Sequence, residues 1–400
     1  MDVKVHPSLL DGVVTAVSSK SMAHRLLICG ALADKPTTVI IKDKSKDIDA
    51  TIKCINALGG QVEKDKRAYT VNPIQTRVKR SRIYDCVESG STLRFLFPII
   101  CALGIGGTFI GEGRLPERPI KEYIQTIRGC TFNASSLPIT ISGQMESGEY
   151  KIAGNISSQY ITGLLFALPL LAGDSKIILT SALESTPYVD MTIDALKTFG
   201  VKVEKTDYGF FVKGSQKYIS PEVIEVEGDW SNSAFFITAN ALGHNVKVEG
   251  LNEDSKQGDK AINDLIKLTG ERVEICVKEI PDLVPILAVW GAYRHGVTVI
   301  KGAERLRLKE SDRLFAMCEC LSKVGVSVKE TDDGLIIDGN GKVLGGVVDG
   351  FNDHRIVMAM AIAGTNAESP ITIKGAQAIK KSYPRFFDVF KRLGGKIDVL

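Results

Sequence analysis

The sequence predicts an α/β protein of two lobes, built from six copies of one unit that keeps its helices inside and its sheets outside. Three features recur in one order. The first is a helix-like stretch, a glycine and an alternating strand: NALGGQVEK at Gly59, TIRGCTFNA at Gly129, KTFGVKVEK at Gly200, KLTGERVEI at Gly270, SKVGVSVKE at Gly325 and KRLGGKIDV at Gly394. These glycines are 70, 71, 70, 55 and 69 residues apart. Glycine takes the left-handed conformation cheaply and so marks a helix end. The alternation after it is that of a half-buried strand.

The second feature lies upstream of each glycine, a short β-branched strand ending in a turn. In chain order these are TTVIIKD, GTFIGEG, SKIILTS, NVKVEG, GVTVIKG and SPITIKG. The third precedes each of those strands. It is a strongly apolar helix over residues 22–33, 92–103, 160–171, 234–242, 283–292 and 356–363. A stretch such as IVMAMAIAG has almost no polar face and must be buried on all sides. The natural break follows the third unit, near Glu227-Gly228-Asp229. The N-terminal VKVHPSLLDGVVTAV finds no partner before Lys20 and is expected to cross to the other lobe. Lobe 1 is therefore residues 1–17 with 228–400, and lobe 2 is residues 18–227, three units in each.

Composition excludes several classes. A chain of 400 residues, 44% hydrophobic and 24% charged, is an ordinary globular protein. A net charge of +3 does not suggest a nucleic-acid partner. The eight cysteines form no C-x-x-C pair, as expected of reduced thiols in a cytoplasmic protein. No basic segment followed by an apolar one opens the chain, so no signal peptide is expected. The longest apolar run, residues 161–172, is broken by Gly163 and Pro169 and is too short for a bilayer, which needs roughly 20 residues.

Small polar residues precede every buried helix. They are Ser18-Ser19-Lys20-Ser21, Glu88-Ser89-Gly90-Ser91, Ser157-Ser158-Gln159, Ser231-Asn232-Ser233, Pro281-Asp282 and Asn352-Asp353-His354-Arg355. Singly, each is simply a good N-cap. Six together mean more, because a helix N-terminus offers unpaired N–H donors and about half a positive charge. Six alike units would turn all six N-termini onto one interlobe cleft, an anion trap. Lys20, Arg25, Arg118, Arg313, Arg355 and Lys381 stand at the same openings. Arginine forks match carboxylate and phosphate oxygens. The expected ligand is a small, highly anionic substrate, or two of them. Nucleotide motifs fail: Phe109 stands where G-x-G-x-x-G needs its last glycine, and no G-x-x-x-x-G-K-[ST] is present. The five histidines show no metal-ligand spacing.

The whole chain from Ser18 to Pro384 resembles the EPSP synthase family, the 3-phosphoshikimate 1-carboxyvinyltransferases. The strings that carry the resemblance are Ser19-Lys20-Ser21 with Arg25, Gly90-Ser91-Thr92-Leu93-Arg94, Glu117-Arg118-Pro119 and Ser157-Ser158-Gln159. They continue with Pro281-Asp282, Lys309-Glu310-Ser311-Asp312-Arg313-Leu314, Asn352-Asp353-His354-Arg355 and Lys381-Ser382-Tyr383-Pro384. Each is weak alone; their order along one chain is specific. The resemblance implies two lobes of three βαβαββ units. It implies transfer of the enolpyruvyl group of phosphoenolpyruvate to the 5-hydroxyl of shikimate 3-phosphate through a tetrahedral ketal. It implies no cofactor and no metal.

Roles carry over by position. Lys20, Ser21, Arg25, Ser157, Ser158, Gln159, Ser185, Asp282 and Lys309 resemble contacts to shikimate 3-phosphate. Lys20, Gly90, Arg118, Gln159, Arg313, Arg355 and Lys381 resemble the phosphoenolpyruvate cage. Lys20, Asp282, Glu310 and Lys381 resemble the catalytic set, with Asp282 and Glu310 as its acid–base pair. Two proton movements call for positioned carboxylates or lysines, and migrating negative charge calls for preorganised cations.

Glu88 departs from the asparagine common in the family, and Arg94 or Arg114 is expected to offset it. Gly90 is the residue type of glyphosate-sensitive members. The sister transferase acting on UDP-N-acetylglucosamine typically has a cysteine in the loop before its R-P motif, and residues 111–119 have none. A non-catalytic anion-binding protein would be expected to have lost Asp282, Glu310 or Lys381. The site lies within one chain, so a monomer is expected. An interlobe site also requires closure: small-angle scattering should show compaction when both substrates are added, and an unchanged radius of gyration would argue against it.

Overall fold

A computed structural model describes residues 1–75 and 82–400. The chain divides into two compact units, Met1–Val17 with Glu227–Leu400, and Ser18–Val226. Each has its own apolar core.

The continuous unit, Ser18–Val226, holds three buried helices, Lys20–Leu32, Gly90–Leu103 and Ser158–Ala167. Three four-stranded sheets cover them, and all three share one order. A leading strand pairs in parallel with the strand after the buried helix, and a hairpin then continues antiparallel. In the second sheet these strands are Ile83–Asp85, Gly107–Ile110, and the hairpin Cys130–Phe132 with Ile139–Gly143. The first sheet takes its leading strand, Val223–Glu225, from the far end of the unit, where it pairs with Thr37–Ile40.

One of these helices is pinned by a defect in its own backbone. Pro98 lies inside Gly90–Leu103 and has no N–H to give the carbonyl of Arg94. The Tyr123 hydroxyl donates to that carbonyl instead, at 2.7 Å, and also to the carbonyl of Tyr160 at 2.9 Å. Gly163 permits this approach: a Cβ there would come within 2.1 Å of the Tyr123 oxygen and 2.3 Å of the Arg94 carbonyl.

The discontinuous unit repeats the pattern with one omission. Its buried helices are Trp230–Ala241, Val284–Tyr293 and His354–Thr365. Four-stranded sheets follow the second and third, but only Asn245–Glu249 paired with Asp11–Thr15 follows the first. That unit lacks its hairpin, which is why the interval from Gly270 to Gly325 is 55 residues. The strand after Gly270 is therefore not the first hairpin strand that the repeat suggests. Arg272–Cys276 is the leading strand of the next sheet, parallel to His295–Lys301. In the last sheet Val3–His6 supplies the strand the chain end lacks, between Ile371–Lys374 and Lys396–Val399. The N-terminal 17 residues thus complete one repeat and open another.

All six marker glycines have positive φ. Gly59, Gly200, Gly325 and Gly394 stand one residue past a helix cap. Gly129 and Gly270 stand further out, because the helices before them, Lys121–Thr126 and Ile262–Leu265, stop early. None of the eight cysteines is in a disulfide. No helix among the described residues is long and apolar enough to cross a membrane.

Tyr123→Phe leaves the Arg94 carbonyl buried without its donor. The expected loss is about 1–3 kcal/mol of stability in denaturant titration, the cost of one unsatisfied buried group.

Candidate active site

In the continuous unit all three buried helices are capped by serine. The hydroxyl oxygens of Ser19, Ser89 and Ser157 accept from the N–H groups of Met22, Thr92 and Gln159. Lys20 is the first residue of its helix, and its ammonium donates to Asp47 at 2.8 Å. Arg25 is buried one turn further in. It donates to Ser21 O (2.6 Å), Tyr188 O (2.7 Å) and Thr192 Oγ1 (2.9 Å), and lies over the Phe95 ring. This ties the first helix to the start of Thr186–Thr198. Ser185 precedes that helix in the left-handed region, φ 57°, a strained place for a non-glycine residue.

A second group gathers at the other two helix starts. Gln159 donates to Ser91 Oγ and accepts from Arg94, both at 2.9 Å. Arg94 also donates to the carbonyl of Pro119 and lies over the Tyr160 ring. The Arg118 guanidinium packs directly on Gly90, where a Cβ would come within 2.7 Å of its Cζ. Behind them a neutral chain runs from His24 to Thr51 (2.7 Å), Thr92 (2.7 Å) and Ser89 (2.8 Å). Burial, aided by Lys20 and Arg25, holds His24 well below its usual pKa.

The discontinuous unit is built on charge. Arg313 is 1% exposed. It donates from Nη1 to Asp282 (2.9 Å), from Nη2 to Glu310 (2.9 Å) and from Nε to Asp353 (2.8 Å). The other Asp282 oxygen accepts from Arg355 at 2.8 Å. Burial alone would raise the Asp282 carboxyl, but Arg355, Lys309 and Arg313 outweigh it and hold it well below the usual carboxylate range. Asp353 is fully buried, caps the His354–Thr365 helix through Arg355 N–H, and also accepts from Ser311. The Lys381 ammonium donates to Asn352 O at 2.6 Å. Asn352 and Phe351 both lie in the left-handed region.

Two local readings change. Ser231-Asn232-Ser233 lies inside its helix, and Asp229 is the cap. Asp282 caps nothing, because it sits in the 3-10 turn Pro281–Leu283 with both oxygens given to arginines. The helix that follows Glu310, Arg313–Lys323, is capped by Asp312. The predicted residues fall into two sets, one per unit. Lys20, Ser21, Arg25, Gly90, Arg118, Ser157, Ser158, Gln159 and Ser185 belong to the continuous unit, and Asp282, Lys309, Glu310, Arg313, Arg355 and Lys381 to the other.

A sequence model of EPSP synthase (3-phosphoshikimate 1-carboxyvinyltransferase) matches residues 5–390. A 3-phosphoshikimate 1-carboxyvinyltransferase of Clostridium novyi (strain NT) is 45% identical, over 99% of this chain and 98% of its own. The one from Clostridioides difficile (strain 630) is 40% identical with the same coverage. This chain belongs to the EPSP synthase family. The EPSP synthase of Acinetobacter baumannii matches over 100% of both chains with a TM-score of 0.81, at 24% identity, a likeness of fold.

In this member of the EPSP synthase family, three of the buried carboxylates that carry no role on sequence stand beside these charges. Asp47 holds Lys20 and Asp353 holds Arg313. Asp259 is the third. Burial and the nearby Asp282 push it up to about 7, with Arg355 opposing. Asp353 stood in a recognised string and its burial could be suspected. Asp47 and Asp259 carry no motif, since only the folded chain shows what they face. No group of acidic, histidine or cysteine side chains among the described residues could hold a metal ion.

Native Asp259 keeps a proton that the unfolded chain has already released above pH 4. It therefore lowers stability as pH rises from about 4 to about 7. Asp259→Asn should be more stable than the wild type at pH 8, by on the order of a few kcal/mol at most. The gain should vanish at pH 4, and thermal unfolding at both pH values checks this.

Proposed function

We propose that this enzyme transfers the enolpyruvyl group of phosphoenolpyruvate to the 5-hydroxyl of shikimate 3-phosphate, releasing inorganic phosphate. The observation that carries the reading is Asp282, a buried carboxylate kept ionised between Arg313 and Arg355. The cations that keep Asp282 ionised also weaken it as a base, so in this reading it accepts a hydrogen bond from the hydroxyl, orients it, and takes its proton only as the oxygen bonds to carbon. The hydroxyl oxygen bonds to C2 of phosphoenolpyruvate while C3 gains a proton, giving a tetrahedral ketal. Loss of that C3 proton and cleavage of the C2–O bond to phosphate regenerate the enol ether. In this reading Glu310 is the partner acid, and Lys20 and Lys381 are ammonium groups that stabilise developing charge and share the proton traffic.

The acceptor residues are Lys20, Ser21, Arg25, Ser157, Ser158, Gln159, Ser185, Asp282 and Lys309. Neutral serine caps at the three helix starts of the continuous unit leave their dipoles available to a phosphate. The donor residues are Lys20, Gly90, Arg118, Gln159, Arg313, Arg355 and Lys381. Arg313 is spoken for by three carboxylates, so its grip on phosphoenolpyruvate requires one of those bonds to be exchanged. The reading places the enzyme in the cytoplasm as a monomer.

Phosphate release from phosphoenolpyruvate, with shikimate 3-phosphate and UDP-N-acetylglucosamine as parallel acceptors, tests it. Release is expected only with shikimate 3-phosphate, and Asp282→Asn should lower kcat by about 10²–10⁴-fold, the usual worth of a positioned proton-transfer group. Release with the sugar nucleotide alone would overturn the acceptor assignment. Silence with both would overturn the enzymatic reading.

A further inference from the structure

Two segments of the continuous unit meet at three successive points, residues 87–90 on one side and 112–118 on the other. The Glu112 N–H donates to Val87 O at 2.6 Å. The Glu88 carboxylate packs on Gly113, where a Cβ would fall 2.8 Å from Glu88 Oε2. Arg118 lies on Gly90. The loop between these points runs through the buried Leu115 and the 3-10 turn Leu115–Glu117, which ends at Arg118.

The first segment is held against its own preference. Val87 has φ 51°, and a β-branched residue in the left-handed region is a genuine outlier. Such strain persists only where the surroundings over-determine it. Here Asp85 Oδ1 accepts from the Val87 N–H at 3.0 Å, Ser89 N–H donates to Cys86 O at 2.8 Å, and Val87 O is taken by Glu112. Asp85 is itself fixed by Lys53 at 2.6 Å. The reversal at Val87 is what delivers the next side chain, Glu88, onto Gly113. Arg94 donates to Gln159 and to the Pro119 carbonyl, and Arg114 donates to Glu117. Gly113, at φ 57°, admits the carboxylate because it has no side chain.

We propose that Val87 and Glu88 form a latch on the loop of residues 111–118, and that Glu88 is a positioning residue that aims Arg118 at the anion of the enolpyruvyl donor. The assignment of Arg118 rests on the function proposed above; the latch itself does not. A carboxylate this close to an anion site would repel the anion if that were its only effect. Its contact with Gly113 gives it a different task, fixing the loop so that the guanidinium stays flat on Gly90.

The test is a double-mutant cycle on Glu88→Ala and Gly113→Ala, with Glu88→Gln as the variant least disturbing to the fold. Each alanine variant should raise KM for phosphoenolpyruvate about five- to tenfold, the range of contact-scale coupling. KM for shikimate 3-phosphate should move less than about twofold, within the error of independent sites. The double variant should be no worse than the worse single one, because both break one contact. Glu88→Gln should fall between wild type and Glu88→Ala. Additive losses, equal rises for both substrates or an unchanged donor KM would overturn the proposal. Amide hydrogen exchange over residues 112–118 gives a readout without turnover. Faster exchange in both alanine variants supports the latch even if the wild type proves inactive, and unchanged exchange overturns it even if the kinetics agree.

Discussion

The interaction on which the discontinuous unit depends is the buried guanidinium of Arg313. Taking such a cation out of water costs several kcal/mol, which good geometry and several hydrogen bonds must offset. Asp282, Glu310 and Asp353 do so from three directions, each at 2.8–2.9 Å. They belong to different segments: the turn before Val284–Tyr293, the loop before Arg313–Lys323, and the cap of His354–Thr365. One side chain thus ties together the starts of three helices. Removing any partner would strand buried charge, a far larger penalty than losing a surface ion pair.

The continuous unit reaches the same end without a central charge. Its three helix starts are joined by hydroxyls, the neutral His24 and the polar tip of Gln159. Two of its buried arginines, Arg25 and Arg94, reach backbone carbonyls and uncharged side chains. No carboxylate neutralises them in those bonds, so they keep their field for an incoming anion. The Pro98 defect fits this scheme, because the tyrosine that repairs it also fixes the turn bearing Arg94.

The repeat was legible because its physics is periodic. Six apolar helices, six β-branched strands and six glycines each follow from a local requirement that recurs. The missing hairpin was visible as a short interval, yet its meaning was not, since RVEIC reads as a strand in either role. The candidate site was legible where a charged residue stands out in a short string, such as Lys20, Arg313 and Lys381. It was opaque where a common residue acquires its task from a distant one. Asp47 lies 27 residues from Lys20, and Asp353 lies 40 from Arg313. Asp259 owes its raised pKa to burial and then to Asp282, neither of which a linear pattern encodes. At Val87 only the backbone angle reveals the reversal.

The caps refine the argument from helix dipoles. A helix N-terminus attracts anions through its free N–H groups and its partial positive charge, and a capping side chain uses part of both. Serine takes one donor but adds no charge, so Ser19, Ser89 and Ser157 leave the dipoles of the continuous unit largely intact. Asp229 and Asp353 cancel theirs, and Val284–Tyr293 begins without a side-chain cap beside the ionised Asp282. Six alike repeats therefore do not make six alike anion sites. Helix dipoles leave positive potential at the starts in one unit, whereas in the other the positive charge beside the helix starts is that of side chains such as Lys309, Arg355 and Lys381. That division suits the reaction proposed above, in which the acceptor keeps its phosphate throughout and the donor's phosphate departs when its bond to C2 breaks.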